Sequence, residues 1–148
     1  VRKGNQMQMS AEGLAELKAY EGCRRNAYQC EAGVWTIGYG DTSNVKEGMQ
    51  ISAAECDERL IRRVAEFEAA VMRSIKRPMT QGQFDAFVSL AFNIGTGGFT
   101  GSTLVKRFNG GEDAQAAREF GKWVLVKKVV SPNLVRRRVS EIVRYFQR

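Results

Sequence analysis

The segment from Ser52 to Pro78 constrains the fold most. Ser52-Ala53-Ala54-Glu55 reads as a capping box, and Cys56, Leu60, Val64, Phe67, Val71 and Ile75 then recur at helical spacing until Pro78 stops the run. At 1.5 Å per residue such a helix spans roughly 35 Å, long enough to join two lobes.

The flanks of this helix have different textures. On the N-terminal side, residues 1–9 carry no pattern. Ser10 is a plausible N-cap for a helix running to about Glu21, where Gly22 ends it. The face carrying Leu14 and Leu17 next meets Glu21, so a carboxylate closes an apolar stripe. Residues 24–42 then change to turns, with glycines at 33, 38 and 40 and a β-type piece at Val34-Trp35-Thr36-Ile37, which predicts a small sheet. On the C-terminal side, Thr80-Gln81-Gly82-Gln83 is a second capping box. Phe84, Phe87, Val88, Ala91 and Ile94 share one helical face, and Leu90 and Phe92 widen it, so this helix is expected to be buried nearly all round until glycines 95, 97 and 98 break it. Shorter helical segments are expected near 102–108, 113–124 and 134–146. The chain is therefore expected to be α+β and mainly helical. A small N-terminal lobe with a short sheet (about 10–51), a connecting helix (about 52–76) and a helical C-terminal lobe (about 78–148) form one domain.

Composition narrows the chemistry. The 148 residues are 43% hydrophobic and 26% charged, which suits a globular chain able to bury roughly 70% of its unfolded surface. No apolar run approaches the roughly 20 residues of a transmembrane helix. The chain begins at Val1, so an export signal or anchor is expected to be absent from it. A net charge of +7 favours an anionic partner: nucleic acid, anionic lipid or a carboxylate-rich wall polymer. The complete lack of histidine excludes Ser-His-Asp and Cys-His catalysis and histidine-ligated zinc, leaving carboxylates, thiols, Tyr or Lys for proton transfer. Three cysteines without a CxxC pair fit no common zinc spacing, so neither metal nor cofactor is expected.

The stretch Tyr20 to Thr42 carries the chemistry. Glu21 is followed after eight residues by Cys30 and after five more by Thr36. Taken singly, each has a bland reading: a helix-end Glu paired with an arginine, a small buried Cys, a Thr chosen for strand propensity. Together the spacing resembles the active-site motif of the phage-type lysozymes, glycoside hydrolase family 24, in which Glu, eight residues, Asp or Cys, five residues and Thr recur. Asn93-Ile94-Gly95, Gly101-Ser102-Thr103 and the run Leu134 to Glu141 resemble later signatures of that family in the same order, so the resemblance covers roughly 10–146. Glu-Gly-Cys-Arg-Arg at 21–25 and Ala-Gly-Val-Trp-Thr at 32–36 look most like signal-arrest-release endolysins.

The resemblance implies a lysozyme-like fold and cleavage of the β-1,4 bond between N-acetylmuramic acid and N-acetylglucosamine in peptidoglycan. Glu21 would be the general acid, Cys30 would stand for the usual Asp as base or nucleophile, and Thr36 would position water. A thiol ionises near pH 8.5, so Cys30 needs a site that favours its thiolate. Among the arginines of 136–138, at least one is expected to point away from solvent, and Arg137 is the candidate for substrate binding. Relatives often carry His in the Gly-x-Gly-His-Thr run where this chain has Asp41, so the pairing made there must be remade. The resemblance further implies a Cys23–Cys30 disulfide that holds an inactive form until Cys30 is released, with Cys56 the odd one out; three free thiols in a packed interior are the alternative. The enzyme would work as a monomer, in the host periplasm, on wall and not on nucleic acid. Two rivals stay open: a lytic transglycosylase using Glu21 alone, and a non-enzymatic basic wall-binding module.

Overall fold

The computed structural model describes residues 6–147; residues 1–5 of the patternless start, and Arg148, lie outside the described residues. In chain order the elements are α1 (Ala11–Glu21), β1 (Arg24–Gln29), β2 (Trp35–Gly38), α2 (Ala53–Ser74), α3 (Gln81–Ile94), α4 (Thr96–Thr100), α5 (Thr103–Asn109), α6 (Asp113–Glu119), β3 (Leu125–Val126), β4 (Val129–Val130) and α7 (Pro132–Tyr145). A single 3-10 turn, Phe120–Lys122, follows α6. No helix among the described residues is long and apolar enough to cross a membrane.

The chain divides into two compact units. One is Ala15–Glu66; the other takes the chain up to Leu14 and from Phe67 onward. The division therefore falls inside α1 and inside α2, and each unit has its own reason to hold together.

In the Ala15–Glu66 unit, β1 and β2 pair antiparallel, Arg24 opposite Gly38 and Tyr28 opposite Thr36, with a bulge between. The chain returns past β1 at Met49–Ile51, where Ala27 N–H donates to the Met49 carbonyl and Ile51 N–H to that of Arg25, each at 2.9 Å. Ile37, Ile51 and Cys56 form a small core to which Ala27, Tyr39, Val45 and Met49 add partly buried surface. The Ser52 hydroxyl accepts the Glu55 N–H at 3.1 Å and so caps α2 as its sequence predicts. A Cys23–Cys56 disulfide ties the segment after α1 to the first turn of α2.

The second unit is built on aromatic packing. Phe87 of α3 meets Phe99, Phe108, Phe120 and Tyr145 at centroid distances of 5.1–6.1 Å. Ten residues of α3 are buried, in keeping with its apolar surroundings, and Thr80 with Gln83 makes the full reciprocal capping box. Gly82 lies so close to the end of α7 that a β-carbon there would overlap the carbonyl oxygens of Arg144 and Gln147. The start of α1 is fixed to α3 in the same way that a cap is fixed: Ser10 N–H donates to Asp85 Oδ1 at 3.0 Å, and the Ser10 hydroxyl bonds both Asp85 Oδ2 and the Gly13 N–H.

Two expectations need correction here. Only Gly95 ends α3; Gly97 and Gly98 lie within α4, because the capped break at Gly95 lets a new helical turn begin at once. The segment 125–130, for which no element is expected, is a β-hairpin whose turn residues Lys127 and Lys128 have positive φ of 50° and 68°.

Candidate active site

Glu21 is the last residue of α1, half-buried, and Gly22 at φ 65° lets the chain leave the helix sharply toward β1. Its carboxylate lies at the Tyr39–Gly40 turn: a β-carbon built on Gly40 would sit 3.9 Å from Glu21 Oε2 and 3.7 Å from Arg63 Nη1. Gly40 has φ 83°, and Arg63 Nη1 donates to the Tyr39 carbonyl at 2.9 Å, so a left-handed turn without a side chain makes room for the acid beside an arginine. Arg63 escapes a reading of the sequence alone. The available signal is its i,i+4 spacing from Arg59 on α2, submerged among many other charges.

Cys30 follows β1 at the neck of the β1–β2 hairpin. Its N–H donates to the Val34 carbonyl at 3.0 Å, and its carbonyl accepts from Gly33 at 2.8 Å, which closes the turn. Its sulfur is free of any disulfide. The Val34 and Ala32 backbone N–H groups, helped by the Thr36 hydroxyl, pull the thiol below its ordinary pKa against a smaller opposing effect of burial. Thr36 is buried and donates to the Val34 carbonyl at 2.9 Å. One hydroxyl proton therefore has two acceptors in reach: with the thiol protonated it serves Val34, and with the thiolate present it can turn to sulfur. The geometry brings Cys30 and Thr36 into one hydrogen-bonded group.

The Cys23–Cys30 pairing expected of an inactive form is not the one formed in this structure. Cys23 pairs with Cys56, Cα–Cα 6.7 Å, and the odd thiol is Cys30. The reason is β1 itself. The strand consists of the very residues between Cys23 and Cys30, and an extended run of that length holds its ends roughly 20 Å apart, far outside the reach of a disulfide.

Asp41, where the resembling family often has His, makes its own set of local contacts. Its backbone bridges to Ile37 in both directions at 2.9 Å, and its buried carboxylate accepts the Ser43 N–H at 2.9 Å and faces Arg59 Nη1 at 2.8 Å. Burial pushes the carboxyl up, but the Ser43 N–H and the Arg59 guanidinium outweigh it and hold the group below the usual carboxylate range.

Arg137 and Arg138 are 6% and 1% exposed, while Arg136 is exposed. Glu141, 2% exposed, lies 3.6 Å from Arg137 Nε and 2.7 Å from Arg138 Nε, and accepts the Ser89 hydroxyl at 2.6 Å. Arg137 also donates to the Ser89 carbonyl at 3.3 Å, and Arg138 to Asn93 Oδ1 at 2.8 Å. The Asn93 and Leu134–Glu141 signatures thus converge on one buried ion cluster tying α3 to α7. These contacts give Arg137 a structural task and lend no support of their own to a contact with substrate. Among the described residues, no three His, Cys, Asp or Glu side chains are placed to hold a metal ion.

The mainly helical fold with its small sheet, together with the comparisons that follow, places the chain among glycoside hydrolases of the lysozyme class. The chain belongs to the phage lysozyme family, whose model matches residues 18–141. It is 44% identical over 139 residues to an endolysin of Acyrthosiphon pisum secondary endosymbiont phage 1, covering 91% of this chain and 95% of that one. In structure it is similar to the muramidase domain of SpmX from Asticaccaulis excentricus, with TM-score 0.90, 34% identity, and coverage of 95% and 99%. It is also similar to the P1 phage endolysin Lyz, at 25% identity. The active form of that protein gives TM-score 0.84 over 93% of this chain and 84% of that one; the secreted inactive form gives 0.62 over 93% and 94%.

Proposed function

We propose that the chain is an endolysin that hydrolyses the β-1,4 bond between N-acetylmuramic acid and N-acetylglucosamine, working as a monomer on host peptidoglycan in the periplasm. Glu21 is the general acid that protonates the leaving oxygen. Cys30, as thiolate, takes the proton of an attacking water or itself attacks the sugar, and Thr36 stabilises that thiolate and orients the incoming oxygen.

The observation that carries this reading is the environment of Cys30. Two backbone N–H groups and a hydroxyl converge on a free thiol at the motif position and favour its charged form. A transglycosylase, in which the sugar's own hydroxyl attacks, would leave that arrangement idle. The greater likeness to the active than to the secreted inactive form of the P1 endolysin supports the arrangement with Cys23–Cys56 closed and Cys30 free as the working one.

Mass spectrometry of muropeptides released from purified peptidoglycan tests the reading. Reducing N-acetylmuramic acid ends are expected. Ends of the 1,6-anhydro type would overturn hydrolysis, and lysis undiminished in Glu21→Gln would remove the acid. The same preparation of Thr36→Val should alkylate more slowly at Cys30 at neutral pH, with its midpoint moved upward, because one stabiliser of the thiolate is gone.

A further inference from the structure

Ten large hydrophobic side chains stand exposed among the described residues, and eight of them lie between Leu125 and Phe146. Such a concentration in one stretch of chain needs an explanation, whereas single exposed hydrophobics do not.

The hairpin is the more unusual half. Leu125 faces Val130 and Val126 faces Val129, so each side of this two-stranded ribbon carries one cross-strand aliphatic pair, and all four side chains are 52–68% exposed. A protein partner laid on one side would leave the other pair wet, but a lipid interface can surround both. The turn adds a second observation. Tight hairpin turns with two positive φ values favour Asn-Gly, yet here both positions hold lysine. The tip gives up turn propensity for two positive charges. From Lys122 to Ser140 the chain contains no Asp or Glu at all, and Lys122, Lys127, Lys128 and Arg136 are exposed. Directly after the hairpin, α7 exposes Val135, Val139, Val143 and Phe146, which fall on one stripe with Arg136 at its margin.

We propose that the β3–β4 hairpin, supported by the outward stripe of α7, docks on an anionic lipid bilayer. The aliphatic pairs enter the boundary between headgroups and acyl chains, and Lys127 and Lys128 lay their stems along the apolar surface while their ammonium groups meet lipid phosphate. A hydrolase held this way would stay near the membrane beside its wall substrate.

Vesicle binding tests this without any wall substrate, so its failure would leave the hydrolase assignment standing. The chain is sedimented with vesicles of phosphatidylethanolamine and phosphatidylglycerol, and with vesicles of phosphatidylcholine alone. In parallel, Leu125→Trp is followed by fluorescence with brominated acyl chains, with the unsubstituted chain as the baseline for Trp35 and Trp123. Binding to the anionic vesicles, a blue shift and quenching are expected. The pair Val126→Ser and Val129→Ser should lower partitioning about tenfold or more, and the pair Lys127→Glu and Lys128→Glu should abolish the preference for phosphatidylglycerol. Circular dichroism shows that both variants are folded, as exposed positions allow. No binding to anionic vesicles at low salt overturns the proposal, as does binding without quenching that survives the valine substitutions, since that is adsorption by charge alone. A dimer in analytical ultracentrifugation that the valine substitutions dissociate would assign the surface to a second copy instead.

Discussion

The two units of this chain are stabilised by different means. Phe67 onward is an aromatic core: Phe87 touches four other rings, α3 is buried along most of its length, and Arg137 and Arg138 of α7 are gathered into a closed cluster around Glu141. Ala15–Glu66 has a small core cluster of Ile37, Ile51 and the disulfide-bonded Cys56, further buried side chains at Leu17, Leu60 and Val64, an Asp41–Arg59 pair and several glycines in left-handed turns. The unit that packs well carries little of the proposed chemistry, and the unit that carries it relies on a covalent tie and a few polar anchors. Turns at Gly22 and Gly40 and a thiol ringed by N–H groups need backbone that a tightly filled core would not provide.

The sharpest separation is expected between Glu21 and Phe87. Glu21→Gln should reduce turnover on peptidoglycan by about a thousandfold, equivalent to roughly 4 kcal/mol in barrier, with the urea midpoint nearly unchanged. Phe87→Ala should cost about 4 kcal/mol of stability while the folded fraction keeps its turnover. Equal effects of both substitutions on both readouts would erase the distinction between the units.

Next come the cysteines. Cys56→Ser opens a loop of sequence separation 33 and should cost about 3–4 kcal/mol in equilibrium unfolding, by the chain-entropy account. Cys30→Ser should leave that stability intact and slow turnover about a hundredfold. If Cys56→Ser is as stable as the parent under oxidising conditions, the disulfide is not what holds the smaller core.

Gly82→Ala presses on the packed unit from the other side. The added methyl overlaps two carbonyls at the end of α7, and a loss of about 2 kcal/mol is expected from thermal unfolding, the typical cost of overpacking.

The smallest effect is a pH dependence. The folded pKa of Asp41 lies below its unfolded value, so its contribution to stability is complete above the ordinary carboxylate pKa and is lost as pH falls through the folded value. Urea unfolding followed from pH 6 downward should therefore show a shallower acid loss in Asp41→Asn than in the parent. A parallel pair of curves would mean that Arg59 does not hold this carboxylate in solution.

Local patterns are legible in the residues themselves. Ser10, Ser52 and Thr80 each cap the helix their spacing announces, and the stripe of α2 is buried at Cys56, Leu60, Val64 and Val71, partly buried at Phe67, and continued by buried Ile75 just past the helix end. Glu21 at a helix end and Cys30 with Thr36 on a hairpin are equally local features. In this structure Cys23 lies with Cys56 and away from Cys30, because nearness in sequence is not nearness in space across a segment that is extended. The β3–β4 hairpin escapes a sequence reading because two residues per strand leave too short a pattern, and its lysine turn lacks the glycine that would mark it.

By itself the sequence determined where the capped helices α1, α2 and α3 begin, the absence of histidine chemistry and the motif that places this chain among the phage lysozymes, because capping, periodicity and spacing act within a few residues. Tertiary structure alone decided that Cys23 finds Cys56, that Arg59 takes up the carboxylate of Asp41, that Arg63 stands with Glu21 at Gly40, and that Glu141 draws two arginines inside. Most of these pairings join residues of different elements, and such partners are selected by burial: a charge or a sulfur removed from water takes the complementary group that the packed backbone brings within reach.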